Sequence, residues 1–171
     1  MSSPTTPSPT TPSPAHLDYL KTINQTLYDQ IKTADQKAAY IFTFLIALLV
    51  WSTEVRKVFL WMDSTAWFTP VWFLSVLLVT SLTFAIVCAA LVLVPRNRKG
   101  GVSLYWGAWP EAGQRLTDAL ATGDQTIITS EYVANASHLS AICQRKYLYV
   151  GIAFRGLVGA VLCHIALLLI R

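Results

Sequence analysis

The uncharged, predominantly apolar stretch from Val71 to Val94 is the feature that most limits what the chain can fold into. As a helix, its 24 residues would extend about 36 Å, enough to cross a hydrocarbon core about 30 Å thick. A helix that is apolar on every side must be surrounded by apolar groups, in a protein core or in a bilayer. The stretch therefore predicts a transmembrane helix over residues 71–94.

Two further runs extend this prediction to three spans. Residues 38–53 (AAYIFTFLIALLVWST) carry no charge, and a helix that continues past Arg56 and Lys57, whose long side chains snorkel, gives a first span over 38–61. Residues 147–170 form the third. The composition also indicates a membrane protein, because 54% of the residues are hydrophobic and only 13% are charged, against about 25% charged in ordinary domains. The expected fold is an all-α membrane protein with three transmembrane helices.

The segment before the first span divides into a tail and an amphipathic helix. Residues 1–14 (MSSPTTPSPTTPSP) are rich in Pro, Ser and Thr and are expected to be disordered, with no secretory signal. Ser13 is suited to cap a helix with Pro14 as its first residue. We expect residues 15–37 to form a cytoplasmic amphipathic helix that leads into the first span.

Two stripes of mainly apolar residues have the alternating three–four spacing of a coiled-coil seam. Each contains a single Asn, a residue that fixes register or oligomeric state when it lies in a seam. The stripes either pack on the protein's own core, including on each other, or mediate self-association. The first consists of Leu17, Leu20, Asn24, Leu27, Ile31, Ala34 and Ala38, and the second of Ile128, Tyr132, Asn135, Leu139 and Ile142.

Basic residues predict the orientation in the membrane. Six Lys and Arg lie in residues 96–146 and three precede the first span, whereas only two, Arg56 and Lys57, lie toward the connection from the first span to the second. Because cytoplasmic loops are enriched in Lys and Arg, the N-terminus and residues 95–146 are expected in the cytoplasm and the C-terminus outside. Within 95–146, we expect a short helix over 110–121, a break at Gly123 and a long helix capped by Asp124.

The third span contains two ionisable residues, Arg155 and His164, and a small-residue pattern. Arg155 lies about 12 Å inside the predicted boundary, so it either snorkels to the headgroups or, with His164, faces a bundle interior or water path. Gly156 and Ala160 allow a close helix crossing of the kind that also supports oligomers.

The spacings that enzymes and metal sites require are missing from the sequence. We find no Gly-rich phosphate loop, H-E-x-x-H, C-x-x-C or G-x-S-x-G motif. The three cysteines, Cys88, Cys143 and Cys163, are expected to be small buried hydrophobic residues. We therefore expect no enzymatic activity, no metal, no prosthetic group and no nucleic-acid partner.

Polar and aromatic residues concentrate at the predicted cytoplasmic boundary. A cationic surface with aromatic side chains suits a ligand that carries a phosphate and a base. The alternative is an ordinary headgroup boundary, where Lys, Arg and Trp are common. These residues are Asp35, Gln36 and Lys37, the cluster Arg96 to Lys99, the run Tyr105, Trp106 and Trp109, and the pair Arg145 and Lys146.

Four strings in order, ADQKAAYIFTFLIALL, VLVPR, GVSLYWGAW and EYVANASHLSAICQRKYLYVGIAFRGL, resemble the membrane effectors of the Pycsar anti-phage systems. The resemblance covers about residues 20 to 170. Its most specific elements are Asp35-x-Lys37-Ala38, Pro95-Arg96, Tyr105-Trp106-Gly107 and the Arg-Lys-Tyr start of the last span. Two departures bear on ligand choice: Gln36 stands where Thr or Ser is expected, and Trp106 where Phe is more usual.

The resemblance implies that a neighbouring cyclase makes a cyclic pyrimidine mononucleotide, cyclic UMP or cyclic CMP, on phage infection. The effector senses this ligand and impairs the bacterial inner membrane, so that the cell dies or stops growing before the phage matures. It implies a cytoplasmic sensing region over 95–146 and a homo-oligomer in the bilayer. The residues we expect to contact ligand are Asp35, Lys37, Arg96, Arg98, Tyr105, Trp106 and Lys146.

Two other functions remain open from the residues alone. A small scaffolding membrane protein would recruit a cytoplasmic partner through the seam helices and bind no nucleotide; the neighbouring gene separates this alternative from the effector. A constitutive channel or transporter is disfavoured because inverted repeats are missing and the spans contain few ionisable residues.

Overall fold

The computed structural model describes residues 13–60, 69–94, 109–123 and 125–170, and these form helices and short connections. The described residues contain no strand, which confirms the all-α prediction; residues 1–12 of the predicted tail lie outside them. The helices are α1 (Pro14–Trp51), α2 (Thr53–Leu60), α3 (Pro70–Leu93), α4 (Trp109–Thr122) and α5 (Gln125–Ile170).

Three of these helices, α1, α3 and α5, are long and apolar enough to cross a membrane. Their most apolar segments have mean hydropathies of 1.3, 2.7 and 2.1, respectively. The predicted class, a membrane protein with three transmembrane helices, is thus confirmed. The exact span limits, 38–61, 71–94 and 147–170, stay predictions.

The helix expected to run without a break through the first span is interrupted, because α1 ends at Trp51 and α2 begins at Thr53. Ser52 lies between them, and its hydroxyl accepts a hydrogen bond from the Val55 N–H at 3.3 Å, as an N-cap does. Backbone bonds from Ser52 N to Leu48 O and from Arg56 N to Ser52 O, both 3.1 Å, flank the break. The helix therefore stops and restarts at one residue.

Local signals in the sequence explain most other helix ends. Helix α1 begins at Pro14 as predicted, and α3 begins at Pro70 with Thr69 as its N-cap, whose side chain accepts from Trp72 N at 3.3 Å. Gly123 ends α4 with φ +69°, a left-handed conformation that glycine adopts without a Cβ clash. The break at Gly123 is confirmed; Asp124, the predicted cap of α5, lies outside the described residues.

The chain divides into two compact units, of which the second contains most of the apolar spans. Unit 1 comprises described residues of 1–29 and 97–141, and unit 2 those of 30–96 and 142–171. The largest fully buried side chains are all in unit 2: Leu45, Val55, Leu78, Leu82 and Val92. On α3, buried residues recur every three or four positions, so one face of this apolar helix packs against protein.

Helices α3 and α5 approach closely where α5 has a glycine. A Cβ added at Gly156 would lie 2.8 Å from Ala85 Cβ and 3.2 Å from Ser81 O. Ala153 and Ala160, one turn to either side of Gly156, are fully buried. Small residues at a crossing let two backbones come together, which is how helices pack in a bilayer. The small-residue pattern of the third span thus has a partner inside the chain.

We predict that Gly156→Leu destabilises the chain by about 1–3 kcal/mol or more, because the new side chain overlaps Ala85 and the Ser81 carbonyl. Unfolding by SDS in detergent micelles measures the change. Gly151→Leu is the matched control on the same helix, since nothing lies within 4 Å of the position of its Cβ. Equal stability of the two variants would contradict the close crossing.

Candidate functional site

In unit 1, the two predicted seams meet through their asparagines. The Asn135 side-chain amide donates to Asn24 Oδ1 at 2.6 Å, and Asn24 Nδ2 donates to the backbone oxygen of Tyr132 at 3.1 Å. Asn24 is buried, with 8% of its surface exposed. The expectation that the seams pack on each other is confirmed for these residues, and the first stripe therefore packs within the chain.

The Asn24 side chain uses its donor and its acceptor in this contact. Its Nδ2 also donates to Leu20 O at 2.8 Å within α1, while its Oδ1 accepts from Asn135. A buried amide that loses its partners costs free energy, whereas one that keeps them is satisfied. The pair therefore favours one register of α1 against α5 in unit 1.

In unit 2, small side chains bring α1 and α5 together at the level of the predicted ligand site. Ala34 and Ala38 of α1 are fully buried, and Cys143 and Val150 of α5 are nearly so. Contacts join Gln30 to Cys143, Asp35 to Lys146 and Lys37 to Tyr147. Because the partners advance along both helices in the same order, α1 and α5 run parallel in this unit.

An ion pair between Asp35 and Lys146 lies on one side of this contact. Helical geometry places Asp35 beside the Ala34 and Ala38 stripe, so its carboxylate reaches around to α5. Lys146 is largely buried, with 22% of its side chain exposed, and Asp35 is 37% exposed. The two residues predicted to bind ligand are thus brought together, but the carboxylate already neutralises the Lys146 ammonium.

A cation–aromatic contact lies on the opposite side. The Lys37 ammonium sits 5.6 Å from the centre of the Tyr147 ring, within the range of a cation–π interaction. Lys37 is exposed and Tyr147 is half-buried. Sequence reasoning selected Lys37 but not Tyr147, which immediately follows Lys146 and begins the apolar run. We call Asp35, Lys37, Lys146 and Tyr147 the junction cluster.

The remaining predicted site residues fall into two groups. Arg96, Arg98, Tyr105 and Trp106 lie outside the described residues, so their roles stay predictions. The intramembrane pair is described: Arg155 is exposed on α5, whereas His164 is half-buried with a buried Nδ1 that has no hydrogen-bond partner. In the single chain, Arg155 therefore points outward and not into the helical core.

The residues that the structure describes form no group of three His, Cys, Asp or Glu side chains able to hold a metal ion. Cys88, Cys143 and Cys163 are free and buried, as the sequence predicted. The Cys143 thiol donates to Gln30 Oε1 at 3.6 Å. The junction cluster itself offers ionic, hydrogen-bonding and aromatic contacts, which suit the binding of a ligand.

We predict that Asn24→Leu and Asn135→Leu each destabilise the chain by about 1–3 kcal/mol, because each leaves a polar partner unsatisfied. The double variant should cost less than the sum, since an apolar pair needs no partners. SDS unfolding of all four proteins measures the coupling. Ser137→Ala, which removes an exposed hydroxyl bonded within α5, is the control and should change little. Additive costs would contradict the asparagine contact.

We predict that Asp35→Asn destabilises the chain by about 1 kcal/mol, and that exchange of the two charges in Asp35→Lys with Lys146→Asp recovers most of the loss. The reason is the shielded position of Lys146, whose charge the Asp35 carboxylate neutralises. The control is Asp18→Asn: this residue pairs with Lys21 at 3.3 Å, but the side chains are 74% and 51% exposed. A loss in the exchanged variant as large as in Asp35→Asn would contradict the ion pair.

Comparison with known proteins identifies the family. No curated protein and no solved structure gives a significant match to the chain. The profile of the Pycsar effector protein domain matches residues 19–171, which is most of the sequence and includes all three spans and the junction cluster. This chain therefore belongs to the Pycsar effector family, the membrane effectors of an anti-phage defence system.

Proposed function

We propose that a cyclic pyrimidine nucleotide, cyclic CMP or cyclic UMP, activates this membrane effector during phage infection. A partner cyclase makes the ligand, and the activated effector impairs the inner membrane, so that infection is abortive. Membership of the Pycsar effector family and three membrane-spanning helices support this function. The proposal further places the N-terminus in the cytoplasm, as the distribution of Lys and Arg predicts.

The observation that carries the proposal is the Lys37–Tyr147 contact. An exposed ammonium beside an aromatic ring can hold the single negative phosphate of a cyclic mononucleotide while the base stacks on an aromatic face. Of the described residues predicted to contact ligand, Lys37 is the cation without a carboxylate partner. We therefore assign the phosphate first to Lys37, with Arg96 and Arg98 as further cations and Tyr105 and Trp106 as stacking partners.

The Asp35–Lys146 pair provides a way to couple binding to conformation. A ligand phosphate near Lys146 competes with the Asp35 carboxylate, so the bound and free proteins differ in which anion holds this ammonium. A ligand shifts an equilibrium only by its differential affinity for the two arrangements. A tenfold preference corresponds to about 1.4 kcal/mol per site, and several sites in a homo-oligomer would sharpen the response.

The helices that form the junction cluster also form two of the membrane spans. Helix α1 is continuous from Pro14 to Trp51 and α5 from Gln125 to Ile170. A change in their pairing at Asp35 and Lys146 must therefore be accommodated along the apolar segments that follow in the same helices. We propose that this is how ligand binding alters the membrane-embedded part.

We predict selective binding of one pyrimidine nucleotide when the full chain in detergent is titrated with cyclic CMP, UMP, AMP and GMP by calorimetry. Lys37→Met should weaken that binding by about tenfold, the effect of losing one charge-assisted contact. Lys32→Met is the matched control, because Lys32 is also an exposed lysine on α1. The affinity of the Lys32→Met variant for the nucleotide should equal that of the original chain.

Membrane activity is tested on the same proteins reconstituted in vesicles that contain a fluorescent dye. The nucleotide that binds should release dye from vesicles with the original chain and with Lys32→Met, and less from those with Lys37→Met. A folded chain that binds none of the four nucleotides would exclude the proposed activation and favour a scaffolding role. Binding that Lys37→Met leaves unchanged would remove Lys37 from the site.

A further inference from the structure

Arg155 is a charged side chain that has no counter-charge in the described part of the chain. It lies nine residues beyond Lys146 on α5, about 13 Å along the helix axis. Its side chain is exposed, and among the described residues it makes no hydrogen bond or ion pair. The apolar segments 38–53, 70–94 and 147–170 contain no Asp or Glu. None of the carboxylates that the structure describes compensates this charge, and an unpaired cation at this depth is costly, so a group outside the chain is the candidate counter-charge.

Unit 2 has an open apolar groove. Its first lining residue on α5, Leu157, follows Arg155 by two positions. The groove is formed by Phe44 of α1 with Leu157, Val158, Val161 and Leu162 of α5, and its volume is about 270 Å³. All five side chains are apolar. Such a groove holds part of a flexible hydrocarbon chain better than a polar ligand, for which it offers no hydrogen-bonding side chain.

The groove and the cation lie along one face of α5. Residues at i, i+3 and i+7 share a helix face, which places Arg155, Val158 and Leu162 in one line. The line extends about 10 Å from the cation to Leu162, in the direction away from Lys146. One turn before Arg155, Gly151 is exposed and leaves open space, with nothing within 4 Å of the position of a Cβ. The guanidinium thus has room beside it for a bulky group.

We propose that Arg155 and this groove form a binding site for an anionic phospholipid. The guanidinium binds the phosphate through charge-assisted hydrogen bonds, the headgroup occupies the space beside Gly151, and an acyl chain lies along Val158 and Leu162 against Phe44. The order of these groups matches a lipid in the leaflet on the Lys146 side, with its phosphate nearer the boundary and its chain toward the bilayer centre. This site is independent of the nucleotide proposal.

A second copy of the chain is a poorer occupant of the same surface. Its apolar segments also lack carboxylates, and a symmetric contact through this face would bring two Arg155 side chains together. Two like charges in a low-dielectric layer repel each other, whereas a lipid phosphate supplies the missing negative charge. Charge complementarity therefore selects the lipid.

Photo-crosslinking tests the site on the full chain reconstituted in phosphatidylcholine vesicles. A small fraction of phosphatidylglycerol or, separately, of phosphatidylcholine carries a diazirine on the acyl chain, and mass spectrometry locates the labelled peptides. We expect phosphatidylglycerol to label the groove peptides around Phe44 and 157–162 more strongly than phosphatidylcholine does. Arg155→Gln should lower this labelling by about tenfold, as expected for one charge-assisted contact, and Arg155→Lys should retain a large part of it.

Two further variants separate a specific site from general effects. Arg145→Gln removes another exposed cation of α5 and should leave groove labelling unchanged. Val158→Trp fills the groove while Arg155 is intact, and should lower labelling of the groove peptides even if Arg155→Gln does not insert. Equal labelling of the groove peptides by the two lipids, or unchanged labelling in both Arg155→Gln and Val158→Trp, would overturn the proposal.

Discussion

The parallel contact of α1 with α5 is the interaction on which the candidate site depends. In unit 2 it rests on the small side chains Ala34 and Ala38, which let the helices approach until Asp35 reaches Lys146 and Lys37 reaches Tyr147. Larger residues at the two alanines would separate both pairs. The chemistry of the junction cluster therefore follows from packing: an ion pair and a cation–aromatic contact lie on either side of a narrow apolar seam.

Much of the fold could be predicted because its signals are local. Apolar runs indicate the three spans, the three–four spacing indicates the seams, and Pro14, Pro70 and Gly123 indicate helix ends. The break at Ser52 was missed, since a single serine within an apolar run is compatible with a continuous helix and only the hydroxyl bond to Val55 shows otherwise. The contact of Gly156 with Ala85 could not be predicted either, because the packing of α3 on α5 depends on residues about 70 positions apart.

The candidate site was predicted in part, and one usable signal was overlooked. Aligning the two seams on Asn24 and Asn135 gives a separation of 111 residues, and the same separation pairs Asp35 with Lys146. Asp35 and Lys146 were selected because both are expected at the cytoplasmic boundary of the membrane. The register of the two seams would also have shown that the Asp35 carboxylate neutralises the Lys146 ammonium. Tyr147 belongs to the Arg-Lys-Tyr motif but was not selected as a ligand contact, because it begins the apolar run of the third span. The family was identified from short strings that contain no catalytic motif. The match to residues 19–171 confirms the family.

The α1–α5 contact is both a structural element and the proposed target of the ligand, and a distance measurement tests the two roles together. Spin labels at exposed Gln36 and Gln144, introduced as cysteines after the three native cysteines are replaced by alanine, report the separation of the helices in unit 2. Electron paramagnetic resonance should give one narrow, short distance without nucleotide and a shifted distance when the bound cyclic pyrimidine nucleotide is present. A broad distribution without nucleotide would contradict the helix pairing, and an unchanged distance with nucleotide bound would contradict the coupling.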